Sequence, residues 1–517
     1  MRTSLPLILS VVALFAASCD GCNHKPGNGD GGGGSGGGGG TPDMSIAPGA
    51  CNTDPDCMNG AQHCCDNVCV ETASCALSVT QVTPANGFQN GGEFITLHGH
   101  GFAAGMKVFI EKGRAPVRVL DAQTARIVAP PGPVGLQDLA IDVGGNSAIL
   151  HQGYSYRSAG LEMAWEQKPL TKVRGEDPGL AVMQDGRVLV AGGTTVPDDQ
   201  NSALATAEIY TRSSDTVTNA ANSMSVPRWQ NSAVTLLTGK VLVVGGACIV
   251  GGMSPCNGDT QVADLFDPTT NTFAPTANKL NVPRYYTHAV LMVDGRVFIS
   301  SANDPDIEIY DPDTDKFTLV THTQLHQYGF VVRLRDGRVL LGGGDGGTTA
   351  AELYDTDAGT FAATGTPMTQ GRSMLTAHTM PDGHVFVIGG ASMSAGGIID
   401  PLASIDIFDP VNGMWTAAPY SLTTPRCWHA SALVRDGTIL VMGGYTQHAA
   451  CESSVASVEQ IDPVTGTVTA FPQLLNTNTE WTAVTMHDGS VLGVGGGACG
   501  TSMALPDIDF LAGAPIE

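Results

Sequence analysis

The chain has 517 residues, of which 42% are hydrophobic and 14% charged, a balance that suits several folded domains with substantial cores. Its formal charge of −24, with an isoelectric point near 4.7, repels phosphate backbones and anionic headgroups. No basic patch offsets that charge, so nucleic acid is excluded as a partner.

At the N-terminus, Arg2, the apolar run from Leu5 to Phe15 and Ala16-Ala17-Ser18 read as an export signal. The run is too short to span a bilayer. Cys19 directly after the small residues resembles the bacterial lipobox. That resemblance implies that residues 1–18 are removed, that Cys19 carries a lipid, and that the protein sits in the bacterial cell envelope, held to a membrane by this anchor. An ordinary signal cut elsewhere is the competing reading. Residues 19–50 then form the anchor and a tether, nearly all glycine from Pro26 to Gly40. The roughly 30 residues of such a flexible coil have an average reach of about 30 Å.

Six cysteines fall at 51, 57, 64, 65, 69 and 75, among Asp, Asn and Gly. In an exported chain this predicts a small disulfide-rich module over residues 51–75, with a metal site as the rival reading. Residues 76–157 alternate apolar and polar, as strands of a half-buried sheet do. Pro84, Gly87, Gly91-Gly92, the run Ile95 to Phe102 and Ala129-Pro130-Pro131 resemble the IPT/TIG domain. An immunoglobulin-like sandwich acting as spacer or partner-binding unit is what that resemblance implies.

From residue 158 to 517 one unit repeats: an Asp-Gly type turn, an apolar strand and usually Gly-Gly, as in Asp185, Gly186, Val188 to Val190 and Gly192-Gly193. The turn glycines stand at Gly186, Gly239, Gly295, Gly337, Gly383, Gly437 and Gly489, giving steps of 53, 56, 42, 46, 54 and 52 residues. A period near fifty with four short strands per unit predicts a β-propeller of seven blades. The Asp-Gly turns are expected to be type I′, with positive φ at both central residues. Each unit also carries an acidic turn followed six positions later by an aromatic or β-branched residue, as in Asp267 with Phe273 and Asp409 with Trp415. With Pro-Arg before the next strand, at Pro227-Arg228, Pro283-Arg284 and Pro425-Arg426, the unit resembles the Kelch repeat. The last unit lacks an outer strand, and Trp165 lies 20 residues before Asp185, the spacing of an outer-strand aromatic. Residues Leu161 to Trp165 are therefore expected to complete blade seven beside Phe510 and close the ring. The fold class is all-β: a seven-bladed Kelch-type propeller preceded by an immunoglobulin-like sandwich and a small disulfide-rich module.

One face of such a propeller is built of the short hairpins; the other carries the variable loops, where function on a rigid scaffold sits. The linkers into the innermost strands open on that face and bring Trp229, Tyr285, Tyr286, Tyr328, Trp428, His429 and Trp481 toward the channel mouth. Aromatic faces at a polar rim suit sugar rings or peptide side chains; folding inward to cover the blades is the alternative. Arg228, Arg284, Arg372 and Arg426 brace blades or, alternatively, bind a carboxylate. Cys248 with Cys256 and Cys427 with Cys451 are the expected bridges, unless Cys499 takes Cys451. Asp311, Asp313 and Asp315 have the spacing of a calcium loop but coincide with a repeated hairpin turn and lack its glycine, which favours an ordinary turn.

Seven Kelch blades with an immunoglobulin-like domain also resemble the galactose oxidase family. In that family two histidines and two tyrosines hold copper, and one tyrosine is thioether-linked to cysteine. Tyr285, Tyr286, His288, Tyr328, Cys427 and His429 are of the right types. The ligand register, however, holds histidine only at His429, with Asn231, Thr287, Gly329, Leu375 and Trp481 as equivalents. His288 is shifted by one and is expected to face away. The sequence thus favours an exported, lipid-anchored binding protein for a protein or glycan ligand, with no catalytic residue, metal or cofactor assigned; a copper-radical oxidase is the alternative.

Overall fold

The computed structural model describes residues 63–65, 68–70 and 76–513, apart from 176, 197–201, 248–260, 323, 345–346, 394–398, 448–452, 477–479 and 497–506. Cys19, Cys248, Cys256, Cys451 and Cys499 lie outside the described residues, as do most of the long loops. Of the cysteine-rich module, a hairpin pairs His63–Cys65 with Val68–Val70 and places Cys64 opposite Cys69 in register.

Residues from Ser78 to Arg157 form two sheets facing each other. One joins Ser78–Thr83, Phe94–His100, Thr124–Val128 and Val117–Val119. The other joins Asn86–Phe88, Asn146–Arg157, Gly135–Val143, Lys107–Ile110 and Gly113–Ala115. Alternation sets the packing: Ile95 and Leu97 of one sheet and Val108, Ile110, Leu139 and Ile141 of the other turn inward into one core with Tyr154 and Tyr156.

Beyond it stand seven four-stranded antiparallel sheets, each in the order a, b, c, d from the inside outward. Blade one is Gly179–Val182, Val188–Ala191, Ala207–Thr211 and Thr216–Asn219. Strand a of every blade touches strand a of both neighbours, including blade seven against blade one, so the array is a closed ring. Strand b is buried on both faces by adjoining blades, and for that reason reads as an unbroken apolar run, as in Val241–Val244 and Ile439–Met442. The ring closes as the spacing predicts. Leu161–Pro169 is the outer strand of blade seven and pairs with Asp507–Gly513, Trp165 opposite Leu511 and Glu166 opposite Phe510.

The a-to-b turn differs from the expected type I′. Gly186 N–H bonds to Met183 O and Met183 N–H to Arg187 O, and only the glycine has positive φ, at 84°. This is a three-residue loop, a type I turn followed by a left-handed glycine, and it recurs in every blade. Asp185 and its equivalents stay right-handed because their carboxylates accept the N–H two residues on, 3.1 Å for Arg187 and 3.0 Å for Arg338.

The sandwich is docked on this hairpin face. Its backbone bonds to the turns of blades three and four, Val117 N–H to Val293 O at 3.1 Å and Arg114 N–H to Arg335 O at 2.6 Å. Arg126 reaches Leu237 O of blade two at 2.8 Å, Phe88 lies under Arg435 of blade six at 5.2 Å, and Phe94 meets His487 of blade seven. Asp357 receives Lys107 at 2.8 Å and both amino groups of Arg114, at 3.0 and 2.8 Å. The linkage is therefore a packed, charge-paired interface on the hairpin face.

Candidate functional site

The linker from strand d into strand a is held by a buried clamp in five blades. Arg174, Arg228, Arg284, Arg372 and Arg426 are at most 1% exposed and face Glu208, Asp264, Glu308, Asp406 and Glu459 on strand c of the same blade. Arg228 donates to Asp264 at 2.6 Å and to the carbonyls of Gly245 and Val262 at 3.1 and 3.0 Å. Asp264 in turn accepts the Ser225 N–H and hydroxyl at 3.0 and 2.6 Å. The arginines thus bind a carboxylate and brace, but the carboxylate is their own blade's. In blade four His326 stands in the arginine's place, 2.8 Å from the Gly343 carbonyl and 3.4 Å from Glu352, and His322 reaches the same carboxylate at 2.7 Å. The strand-c acids were not anticipated from sequence, although each stands three residues before the first turn residue, an acid in every case but that of Glu208, as Asp264 stands before Asp267.

With the linkers pinned, one residue per blade is forced into the left-handed region just before strand a: Asp177, Gln230, Tyr286, Tyr328, Met374, Trp428 and Glu480, with φ between 39° and 57°. For non-glycine residues this conformation is uncommon, and here the ring itself imposes it. Backbone N–H groups pass from blade to blade around the mouth: Asp177 to Glu480 O, Glu480 to Trp428 O, Trp428 to Met374 O and Met374 to Tyr328 O, at 2.8 to 3.2 Å. All seven side chains line one cavity of about 260 Å³.

Tyr286, Tyr328 and Trp428 come from blades three, four and six yet meet at the centre. Their ring centroids lie 4.7 to 5.5 Å apart at angles of 65° to 83°, an edge-to-face trio. His429 and Trp481, one residue further along, also line the cavity; Trp229 and Tyr285, one residue earlier, do not. Trp229 is 8% exposed and pairs its backbone with Ala247, while Tyr285 is 37% exposed at the rim. The three tryptophans thus occupy three successive registers, not one. His288 lines the same cavity as His429, contrary to the expectation that it faces away.

The opposite wall is acidic. Asp177 and Glu480, on adjoining blades, face the Tyr286 hydroxyl, which burial and their charge hold in its protonated form. Burial pushes the Asp177 carboxyl up to about 6. Its Oδ2 is buried with no hydrogen-bond partner, and no lysine or arginine lines the cavity among the described residues. The channel continues below, walled by His288, His378 and His429. Burial holds these histidines neutral, at about 4, 4 and 3 respectively.

The copper donor set does not fit these positions. Among the described residues no group of three or more His, Cys, Asp or Glu converges as a metal site. His429 Nε2 lies 3.0 Å from the Thr376 hydroxyl, and Tyr286 and Tyr328 are turned against each other and Trp428. Cys427 is a buried free thiol, pushed up to about 12 by that burial, and its backbone pairs with Tyr445; its expected partner, Cys451, lies outside the described residues.

Residues 77–158 match the IPT/TIG domain and residues 426–475 the Kelch motif. An F-box/kelch-repeat protein of Arabidopsis thaliana is 25% identical over 166 residues, 30% of this chain and 42% of its own length. Beta-scruin of Limulus polyphemus is 25% identical over 331 residues, 58% of this chain and 34% of its own. The chain therefore spans well under half the length of these relatives. Among solved structures, a fungal alcohol oxidase of the AA5 family, in complex with copper, aligns with a TM-score of 0.55 at 18% identity, over 67% of this chain and 76% of that one. At that identity the likeness concerns the fold alone.

Proposed function

We propose, for a chain that carries an IPT/TIG domain and Kelch repeats, that it is an exported binding protein, anchored through a lipid on Cys19 and presenting the mouth of its propeller to a protein or glycan ligand. The observation that carries the reading is the cavity of about 260 Å³ walled by the Tyr286, Tyr328 and Trp428 rings and ringed by seven left-handed residues. Such a concave, preformed, partly aromatic pocket suits binding because little ordering entropy is lost when a ligand enters. Among the described residues the copper donors are not assembled, which favours recognition over copper-radical turnover. The lipid anchor and glycine tether rest on sequence pattern and fit a role at an envelope surface.

Glycan and peptide screens on the full chain, repeated with Trp428→Ala, test the reading. The expected result is a ligand whose affinity falls at least about tenfold in the variant, the scale of a central aromatic anchor. Equal binding by wild type and variant for every ligand found, or stoichiometric copper with alcohol oxidation, would overturn it.

A further inference from the structure

The two walls of the mouth cavity differ in kind, and the difference names a ligand chemistry. Three aromatic rings stand on one side; Asp177 and Glu480 stand on the other, with Gln230 beside them. Elsewhere in the propeller, buried acids are matched within their own blade, as Asp264 is by Arg228. The mouth breaks that rule. Asp177 has a buried oxygen without a partner, and the described lining holds no lysine or arginine. A carboxylate taken from water without a counter-charge is costly, and a bound cation removes that cost.

We propose that this cavity binds an alkylammonium group, with Asp177 Oδ2 accepting from the ammonium and Tyr286, Tyr328 and Trp428 flanking its carbon atoms. The proposal rests on the binding reading above and specifies its ligand. Aromatic rings attract an organic cation through their quadrupoles when it lies within about 6 Å of a centroid. An ammonium fits better than a guanidinium, because a planar fork seeks both oxygens of a carboxylate while a compact ammonium needs only one. Oδ2 of Asp177 is the buried, unpartnered acceptor here. Trp481, 4% exposed and lining the same cavity, also has an indole N–H without a partner, and Asn231 Oδ1, Thr287 Oγ1, His288 Nε2 and His429 Nδ1 on the lining are likewise buried and unpartnered, so the pocket holds further polar groups available to the remainder of a ligand.

Groups facing Asp177 are the Tyr286 hydroxyl and Glu480, with His288 and His429 on the channel side of the cavity. Its carboxyl titrates near 6, so affinity for the cation should be full above that value and fall as pH drops through it, before either histidine charges at about 4 and 3.

The test uses the full chain and three probes: n-butylammonium, acetyl-lysine amide and its uncharged counterpart acetyl-norleucine amide, followed by tryptophan fluorescence and calorimetry. Saturable binding of a charged probe is expected, at least about tenfold weaker for norleucine and for Asp177→Asn, the order for loss of one partner of a buried charge pair. Binding of acetyl-lysine amide but not butylammonium assigns the site to protein lysines; binding of both assigns it to free amines as well. Equal binding of the norleucine probe, retention by Asp177→Asn, or no saturable binding of either cation overturns the proposal. If the cations fail while Trp428→Ala still abolishes a ligand from the screens, the ammonium assignment falls and the binding reading stands.

Discussion

The two faces of the propeller treat charge in opposite ways. On the hairpin face, where the sandwich docks, charged groups meet partners: Asp357 takes Lys107 and Arg114, Glu111 takes Arg335 at 3.0 Å, and Asp313 takes Arg118 at 2.6 Å. At the mouth, Asp177 has a buried, unpartnered carboxylate oxygen beside a second acid, and the described lining holds no lysine or arginine. Paired charges fix a geometry, whereas an unpaired one stores a cost that only something outside the chain removes. That contrast separates the scaffold from the site more sharply than residue type does, since both faces carry aromatics and acids.

Removing one member of a buried clamp, one of the pairs that pin the linkers leading to the mouth, tests what charge pairing contributes to the scaffold and has the largest effect. Arg228→Met strands Asp264, which is 0% exposed, and leaves the Gly245 and Val262 carbonyls without their donor. A loss of about 3–5 kcal/mol is expected, read from urea denaturation as a lower midpoint at unchanged slope. Replacing both partners, Arg228→Met with Asp264→Leu, should recover at least half of it, because no unpaired charge then remains.

The scaffold was largely legible in the sequence and the site was not, for physical reasons. Blade number and closure follow from turn chemistry and strand spacing, which are local: the 20 residues from Trp165 to Asp185 sufficed to pair Leu161–Pro169 with the C-terminal strand. The turn type was misjudged because Asp-Gly alone does not say how many loop residues need positive φ; the Asp185 carboxylate, by capping Arg187 N–H, leaves that need to Gly186 alone. The acids of the clamps carried a signal, a charged residue within an otherwise apolar strand c three before the turn, which periodicity of the glycines masks. The mouth is harder. Whether a residue lines the cavity depends on a one-residue difference in register, so Trp229, Trp428 and Trp481 look equivalent by counting and are not. Docking of the sandwich joins residues as far apart as Gln89 and Arg435, and no local pattern announces it.

The second half of the contrast predicts that relieving the mouth stabilises the fold. Asp177 has its carboxyl raised from 3.8 to about 6, so between those values the folded state binds more protons than the unfolded chain, and stability falls as pH rises through that window. Above pH 6 the full cost applies, of order 2–3 kcal/mol for a shift of that size. Asp177→Asn should therefore raise the denaturation midpoint at pH 7.5 and make little difference at pH 3.5. A variant that is more stable yet loses its ligand is the pattern expected of a site that trades stability for recognition. Unchanged stability at pH 7.5 would mean that the carboxylate finds its own partner.

The smallest effect belongs to the docking surface, where pairing is good but solvent is near. Lys107 and Arg114 hold Asp357 at about 2, yet its side chain is 47% exposed, so water screens most of what the shift suggests. Asp357→Asn should cost no more than about 1 kcal/mol above pH 4, and the difference from wild type should vanish as pH falls below about 2, where the native carboxyl is itself protonated. Because backbone bonds from Arg114 and Val117 to the blade turns remain, the sandwich should stay docked, with hydrogen exchange at those two amides unchanged. Faster exchange there on loss of Asp357 would show that the charge pairs, and not the backbone ladder, hold the two domains together, and that both faces of the propeller depend on electrostatics to the same degree.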